Sequence, residues 1–354
     1  MTASLTTTST NPGLKINLPH QDFRRTLRGQ RATIPNLNDL FPEWTPRFHP
    51  DWQKAREEVL DPWLQRWVDE PRTRAKLQAA NFTRFAAIVC ADASFEKLCA
   101  VAKYFAWGRV AYQQQSKEYF EHALLRKGNY PDLSSFTEGQ QKALLCWDER
   151  IREDVCEILL ATMLPFVESV DTVDSIYAQD TVPTIAQYWH RRDLTAAVYP
   201  VIATLFFIHG ASTSVSNLRH PDLAKLWKHT SYIVHITNDI LSMPKEARDG
   251  QIEGLVPVLM MNYGLDCATA IEWSVQLAED EVRGIRVIEK RLLPKEEEEE
   301  EQADKSDGVR ELLADVFING CKDVAMGLIN WSYHGERYFR NQEIRDDYTI
   351  EFEL

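Results

Sequence analysis

The stretch HPDWQKAREEVLDPWLQRW, His49–Trp67, sets the fold class. Trp52, Val59, Trp63 and Trp67 recur every one or two helical turns with charges between them, the mark of an amphipathic helix. The same period predicts further helices over about 73–90, 95–127, 137–169, 184–208, 222–243, 256–263, 266–292 and 308–341. Pro131, Pro165, Pro183, Pro221 and Pro257 stand at or near their starts or breaks, where proline is tolerated. No stretch alternates convincingly with period two, and no internal repeat is visible. Fourteen Gly and 16 Pro in 354 residues are too few for a turn-rich all-β chain. The expectation is an all-α, single-domain helical bundle enclosing a central apolar cavity. Residues 1–34 read as a disordered N-terminal tail, and PNLNDLFPEW (35–44) as an irregular strap opening a domain that runs from 35 to 354. The acidic run PKEEEEEEQADKSDG (294–308) reads as a flexible insertion within that domain.

Charge narrows the function. Forty Lys and Arg against 53 Asp and Glu leave a net charge of −13, a poor basis for holding nucleic acid. An anionic ligand stays compatible with such a chain when metal ions bridge acid to anion. Six Cys without a C-x-x-C pair argue against a disulfide scaffold or a thiolate zinc site and suit a reducing, cytoplasmic location. Residues 1–13 lack the apolar core of a secretory signal. Leu194 to Leu218 carries no Asp, Glu, Lys or Arg. Its strongly apolar part, Ala196 to Ile208, falls short of the ~20 residues a bilayer needs, so it reads as a buried core helix and not a transmembrane span.

Three oxygen donors stand out in NDILSMPKE. Asn238, Ser242 and Glu246 follow at i, i+4 and i+8 and share one helix face. An amide carbonyl, a hydroxyl and a carboxylate in one patch form a hard site suited to Mg²⁺. Asp239 lies about 100° around the helix, outside that patch. A second acidic pair, Asp92 and Glu96 in AIVCADASFEKL, follows Phe85 and Val89 at helical spacing. Arg191 and Arg192 in HRRDLTAAVYP precede the uncharged helix, and WSYHGERYFR holds Arg337 and Tyr338, with Trp331 one heptad before Tyr338. Guanidinium groups and a phenol are natural donors to phosphate oxygens. Taken singly, each of these also fits a plainer reading: a polar helix face, a solvated helix end, surface arginines, an aromatic core stripe. His209 reads as a core histidine.

Together these residues resemble the class I terpene synthases, in particular the short fungal sesquiterpene cyclases, over roughly residues 50–341. NDILSMPKE matches their N-D-x-x-S-x-x-x-E metal motif, and DASFE looks like a degenerate form of their D-D-x-x-D/E motif. HRRDLTA resembles their diphosphate-sensing stretch, and the Arg337–Tyr338 pair resembles their C-terminal Arg-Tyr. The resemblance implies Mg²⁺, three ions per active site with Mn²⁺ as a substitute, held by Asp92, Asn238, Ser242 and Glu246, with Glu96 as a further candidate. It implies diphosphate binding by Arg192, Lys245, Arg337 and Tyr338, with Arg191 in place of Arg192 if the register differs by one. The substrate pocket would take in Phe85, Val89, Thr195, Ala196 and Trp331, and catalysis would rest on Asp92, Asn238, Ser242, Glu246 and Arg192. Ala93 departs from the family where a second Asp is usual, Ala196 where Gly is common, and Pro244 interrupts the motif helix.

The implied reaction is ionisation and cyclisation of farnesyl diphosphate to a cyclic sesquiterpene hydrocarbon or alcohol, with release of diphosphate, by a monomer or homodimer without a transmembrane span. The alternatives are a diterpene synthase acting on geranylgeranyl diphosphate and a non-catalytic relative that only binds prenyl diphosphate. A chain-elongating prenyltransferase would need a second D-D-x-x-D where this chain has N-D-I-L-S, and no D-x-D-D box of a protonation-initiated cyclase is present. The scheme requires Asp92 and the Asn238 helix to face each other across one hollow.

Overall fold

The computed structural model describes residues 19–107, 153–177, 182–210, 220–292, 312–339 and 343–354. Helices dominate them, as the periodicity predicts: α1 (His20–Leu27), α2 (Trp52–Lys54), α3 (Asp61–Trp67), α4 (Pro71–Ala80), α5 (Phe82–Val89), α6 (Phe95–Trp107), α7 (Glu153–Tyr177), α8 (Ile185–Thr195), α9 (Val198–His209), α10 (Pro221–Asp249), α11 (Leu255–Tyr263), α12 (Cys267–Leu292) and α13 (Asn319–His334). The expected acidic insertion at 294–308 lies outside the described residues. No described helix is long and apolar enough to cross a membrane. The uncharged stretch contributes α9, whose Ile202, Ala203, Leu205 and Phe206 are fully buried.

The bundle is organised around α10. His220 caps its first turn by accepting from the Asp222 N–H, Pro221 occupies a position where no amide donor is needed, and Gly250 ends it in the left-handed region. Its middle, from Ile233 to Pro244, is buried on nearly every side except at Asn238, so α10 is a central helix and not a surface one. Pro244 removes one backbone donor without breaking the helix, which runs on to Asp249. Against α10 pack α12, through a narrow stripe of Ala270, Ile271, Ser274, Ala278, Val282 and Ile285, and α13. On the far side α13 meets α5 closely: a Cβ at Gly327 would come 3.2 Å from Ile88 and 3.3 Å from Phe85.

Three sequence expectations change. The N-terminal tail is shorter than 1–34. Phe23, Leu27 and Ile34 are buried, and Arg31–Ile34 pairs antiparallel with Ile350–Glu353. The polar residues between these apolar positions hid the pattern, and the partner strand lies over 300 residues away. The tryptophan stripe of 49–67 is also off by one step. A π-helical segment, Ala55–Leu60, joins α2 to α3. Its extra residue turns Ala55, Leu60, Leu64 and Val68 inward, leaving Trp52, Val59 and Trp63 half-buried.

The third change matters most for the site. The single helix expected over 184–208 is broken between α8 and α9, where Ala197 takes φ +58°. A Cβ-bearing residue rarely adopts that conformation. Replacing it with glycine removes the steric cost without touching a hydrogen bond, so Ala197→Gly is expected to raise unfolding free energy by about 0.5–1 kcal/mol. Urea denaturation checks this; a loss of stability would contradict the left-handed break.

Candidate active site

The α8–α9 break, the middle of α10 and the C-terminal half of α13 surround a cavity of about 220 Å³. Its apolar wall is aromatic. Phe85 stacks on Phe105 at 4.8 Å and on Trp331 at 6.1 Å, and Phe82 stacks on Trp331 at 5.2 Å. Trp331 is locked in place by donating its indole N–H to the carbonyls of Ala80 and Asn81. Thr195 and Ala196 line the opposite side at the helix break. Four of the five residues expected in the pocket are therefore here: Phe85, Thr195, Ala196 and Trp331.

The polar rim is built on one buried ion pair. Arg192 donates through Nε and a terminal nitrogen to Oδ1 of Asp239 at 3.0 and 2.6 Å, and to Oδ1 of Asn238 at 2.8 Å. Oδ2 of Asp239 accepts from the Tyr188 hydroxyl and from the Leu255 N–H, both at 2.8 Å. Asp239 thus ties α8, α10 and the start of α11 together. Burial works against the Arg192 charge, but Asp239 outweighs it and holds the guanidinium pKa above its ordinary value. Arg191 instead donates to the Glu253 carbonyl, and Arg192 is the one of the two that lines the cavity.

Asn238 also donates from Nδ2 to the Tyr338 hydroxyl at 2.7 Å, so the C-terminal pair is drawn to the same rim. The Arg337 guanidinium lies 5.2 Å from the Trp331 ring and 4.9 Å from the Tyr338 ring and lines the cavity. Sequence spacing alone separates these groups by about a hundred residues. The fold brings Arg192, Asn238, Arg337 and Tyr338 to one mouth.

Further along α10, the Ser242 hydroxyl is fully buried and makes no hydrogen bond of normal geometry. The Glu246 carboxyl is raised above its usual pKa by burial first and by the nearby Asp239 charge second, with Arg192 opposing. A Cβ on Gly254 would lie 3.5 Å from a carboxylate oxygen of each of Asp239 and Glu246. A buried hydroxyl beside two crowded carboxylates suits a divalent cation, which offers the hydroxyl oxygen a partner and offsets the repulsion of the carboxylates. Asn238 Oδ1 keeps a second lone pair beyond the one Arg192 uses. Among the described residues no three His, Cys, Asp or Glu side chains cluster as a metal site.

Asp92 is not at this mouth. The helix that should carry it ends at Val89, and Asp92 sits in the turn before α6, where it pairs with Arg47 at 2.8 Å with most of its side chain in water. Val89 and Asp92 line a separate hollow of about 160 Å³ with His209, Asn319 and Asp323. Asn319 and Gly320 begin α13, whereas Leu328 and Trp331 on the same helix line the aromatic cavity. Eleven residues at 1.5 Å each separate Gly320 from Trp331 by about 16 Å. Asp92, and with it Val89, therefore belongs to the opposite end of the bundle from Asn238. Helical phase extrapolated from Phe85 through Val89 fails because the turn intervenes. Glu96, exposed on the first turn of α6, does not line the cavity either. Lys245 pairs with Asp249 at 3.4 Å on the exposed side of α10 and is likewise outside it. His209 is exposed at the end of α9 and is not a core residue.

Two residues of consequence escaped the sequence. Asp239 lies off the Asn238–Ser242–Glu246 face by helical angle, yet it anchors Arg192. His235, one turn before Asn238, is fully buried and lines the cavity, and an isolated histidine in an apolar helix gave no signal. A larger groove of about 420 Å³ lies between α1 and the end of α10, but exposed arginines line it and none of the grouped donors reaches it.

Comparison with known proteins agrees with this geometry. Residues 142–284 match the family described as "Terpene synthase family 2, C-terminal metal binding". The chain is 23% identical to terpene cyclase braA of Annulohypoxylon truncatum, covering 92% of this chain and 91% of that protein. It is 22% identical to silphinene synthase peniA of Penicillium patulum, covering 89% and 88%. In fold it is similar to a linalool/nerolidol synthase from Streptomyces clavuligerus solved with 2-fluorogeranyl diphosphate, with a TM-score of 0.65 at 17% identity, over 83% of this chain and 98% of that one. Residues 142–284 thus match the metal-binding part of the terpene synthases, and the chain as a whole is similar to terpene cyclases in sequence and to terpene synthases in its all-α fold.

Proposed function

We propose that the protein ionises farnesyl diphosphate and cyclises the resulting cation to a sesquiterpene, with Mg²⁺ as its metal and Mn²⁺ able to substitute. The observation that carries this reading is the junction of Arg192, Asn238, Arg337 and Tyr338 above an aromatic cavity. A cytoplasmic location fits the free, buried cysteines Cys90, Cys99, Cys267 and Cys321.

The residues divide the work by chemistry. Asn238, Ser242 and Glu246 would hold the metal, which when bound supplies Lewis-acid stabilisation to the departing diphosphate oxygen. Arg192 and Arg337 offer guanidinium donors, and Tyr338 a phenol, to the remaining phosphate oxygens. At 4 Å and an effective dielectric of 20, each such unit-charge contact is worth roughly 4 kcal/mol before desolvation is counted. Arg192 is already oriented by Asp239, so little reorganisation accompanies binding. Phe85 and Trp331 face the hydrocarbon, where each ring stabilises a desolvated cation by about 2 kcal/mol. The aromatic wall also keeps bulk water from the cation.

Two variants separate this arrangement from the sequence expectation. Asn238→Ala is expected to cut magnesium-dependent diphosphate release from farnesyl diphosphate by at least about 100-fold. Asp92→Ala, which removes only an exposed ion pair worth at most about 1 kcal/mol, is expected to stay within about two-fold of the parent. Loss of activity in Asp92→Ala with Asn238→Ala unaffected would reverse the assignment.

Glu246 gives a third prediction, with a definite sign. Its carboxyl pKa is raised in the folded chain, so ionisation costs stability above that pKa, and the cost vanishes below the ordinary value of 4.5. In the absence of metal, Glu246→Gln is expected to raise unfolding free energy by on the order of 1 kcal/mol near pH 8 and to change it little near pH 4. The same variant should lose turnover. Destabilisation near pH 8 would mean that the carboxylate is held by a cation partner of the chain itself.

A further inference from the structure

Tyr188 and Arg192 stand one turn apart on α8, and both reach the carboxylate of Asp239 on α10. A carboxylate has four lone-pair sites, two on each oxygen. Here all four are taken. Oδ1 receives Nε and one terminal nitrogen of Arg192 at 3.0 and 2.6 Å, and Oδ2 receives the Tyr188 hydroxyl and the Leu255 N–H at 2.8 Å each. Arginine and a carboxylate frequently pair fork to fork, with two parallel bonds to two oxygens. The Arg192 fork meets a single oxygen because the other is already full. The nitrogen that a fork-to-fork pair would draw to Oδ2 is the one that also donates to Asn238 at 2.8 Å. The remaining terminal nitrogen of Arg192 has no partner among the described residues, and 19% of the side chain stays exposed at the cavity mouth. Tyr188 is wholly buried, with Trp189 edge-on at 5.0 Å, so its hydroxyl is fixed in place.

We propose that Tyr188 is a positioning residue for diphosphate binding: its hydroxyl fills Oδ2 of Asp239 and so keeps Arg192 from folding into a two-oxygen pair and leaving the mouth. The proposal rests on the cyclase reading above, in which Arg192 donates to the diphosphate. Without the hydroxyl, Oδ2 has a vacant acceptor site on a side chain that is only 4% exposed, where an unmade hydrogen bond is costly. The donor at hand is the Arg192 nitrogen now shared with Asn238. Swinging it across secures the ion pair but commits the guanidinium to the chain's own acid. The diphosphate then meets one cation fewer, and Asn238 loses a donor that orients its amide. Tyr188 does not line the cavity, so its effect on the ligand passes through Arg192.

The test measures, by titration calorimetry, the affinity of the full-length protein for inorganic diphosphate in the presence of Mg²⁺, beside KM and kcat with farnesyl or geranylgeranyl diphosphate. Tyr188→Phe keeps the ring and removes only the hydroxyl. It is expected to raise Kd for diphosphate and KM by about ten-fold while kcat falls by less than about three-fold, the pattern of a contact made before and during ionisation alike. A tyrosine that merely supports the fold would lower the unfolding temperature and kcat and leave Kd unmoved; that result overturns the proposal. In an Arg192→Ala background the same change is expected to move Kd by less than about two-fold, because the residue it acts through is gone. A rise of about ten-fold in both backgrounds also overturns it. p-Aminophenylalanine at position 188 restores a donor and is expected to bind diphosphate as the parent does. A loss of about ten-fold in that variant overturns the proposal, even where Tyr188→Phe does not fold. A parent that turns over prenyl diphosphate while these effects are absent leaves the cyclase reading intact. A parent that releases no diphosphate from either substrate overturns that reading, and the proposal with it.

Discussion

The buried pair between Arg192 and Asp239 is the constraint on which the rest of the site depends. Two charges removed from water must be matched closely, or the cost of several kcal/mol per ion is not recovered. Asp239 meets that demand with all four contacts the fold gives it: two from Arg192, one from Tyr188 and one from the Leu255 amide. The pair fixes three helices relative to one another. It also leaves one guanidinium nitrogen shared with Asn238, and Asn238 in turn fixes Tyr338. The proposed diphosphate site, in a chain of net charge −13, needs cationic groups at its mouth. Here the local arrangement, not the overall charge, sets the sign at the mouth.

The same economy of position explains the cavity. Trp331 is held from behind by the carbonyls at the α4–α5 junction, so its faces are free to stack on Phe82 and Phe85. The break at Ala196–Ala197 opens the opposite wall, at the cost of a left-handed alanine. Strain of this kind is tolerated where the surrounding helices fix the backbone, and it often marks a functional surface. Polar rim and aromatic floor are then joined through Arg337, which packs on Trp331 and Tyr338 together.

Displacing Asp92 changes the chemistry without undoing the family. An Asp in a water-exposed turn at the far end of α13 cannot share a cation with α10. The metal-binding face proposed above is therefore the one on α10. The assignment does not rest on Asp92, because the α10 motif, the arginine-lined mouth and the comparisons with terpene synthases stand independently of it.

The amino-acid order by itself determined what is periodic or local. The all-α class followed from the 3.6-residue spacing. The grouping of Asn238, Ser242 and Glu246 followed from steps of four on one helix, since both depend only on neighbours along the chain. Arg192, Arg337, Tyr338, Thr195 and Ala196 are legible through motif resemblance and Phe85 and Trp331 through helical spacing, and the fold brings them together. What the order did not determine was anything resting on where a helix stops or what lies across from it. Phase carried through the turn after Val89 misplaced Asp92, and phase carried through the π-helical segment at Ala55–Leu60 misplaced the tryptophan stripe. Helical angle alone dismissed Asp239, whose partners come from two other helices. The aromatic cavity exists only because α5, α8, α9, α10 and α13 pack around it, and no one-dimensional pattern encodes an enclosed volume.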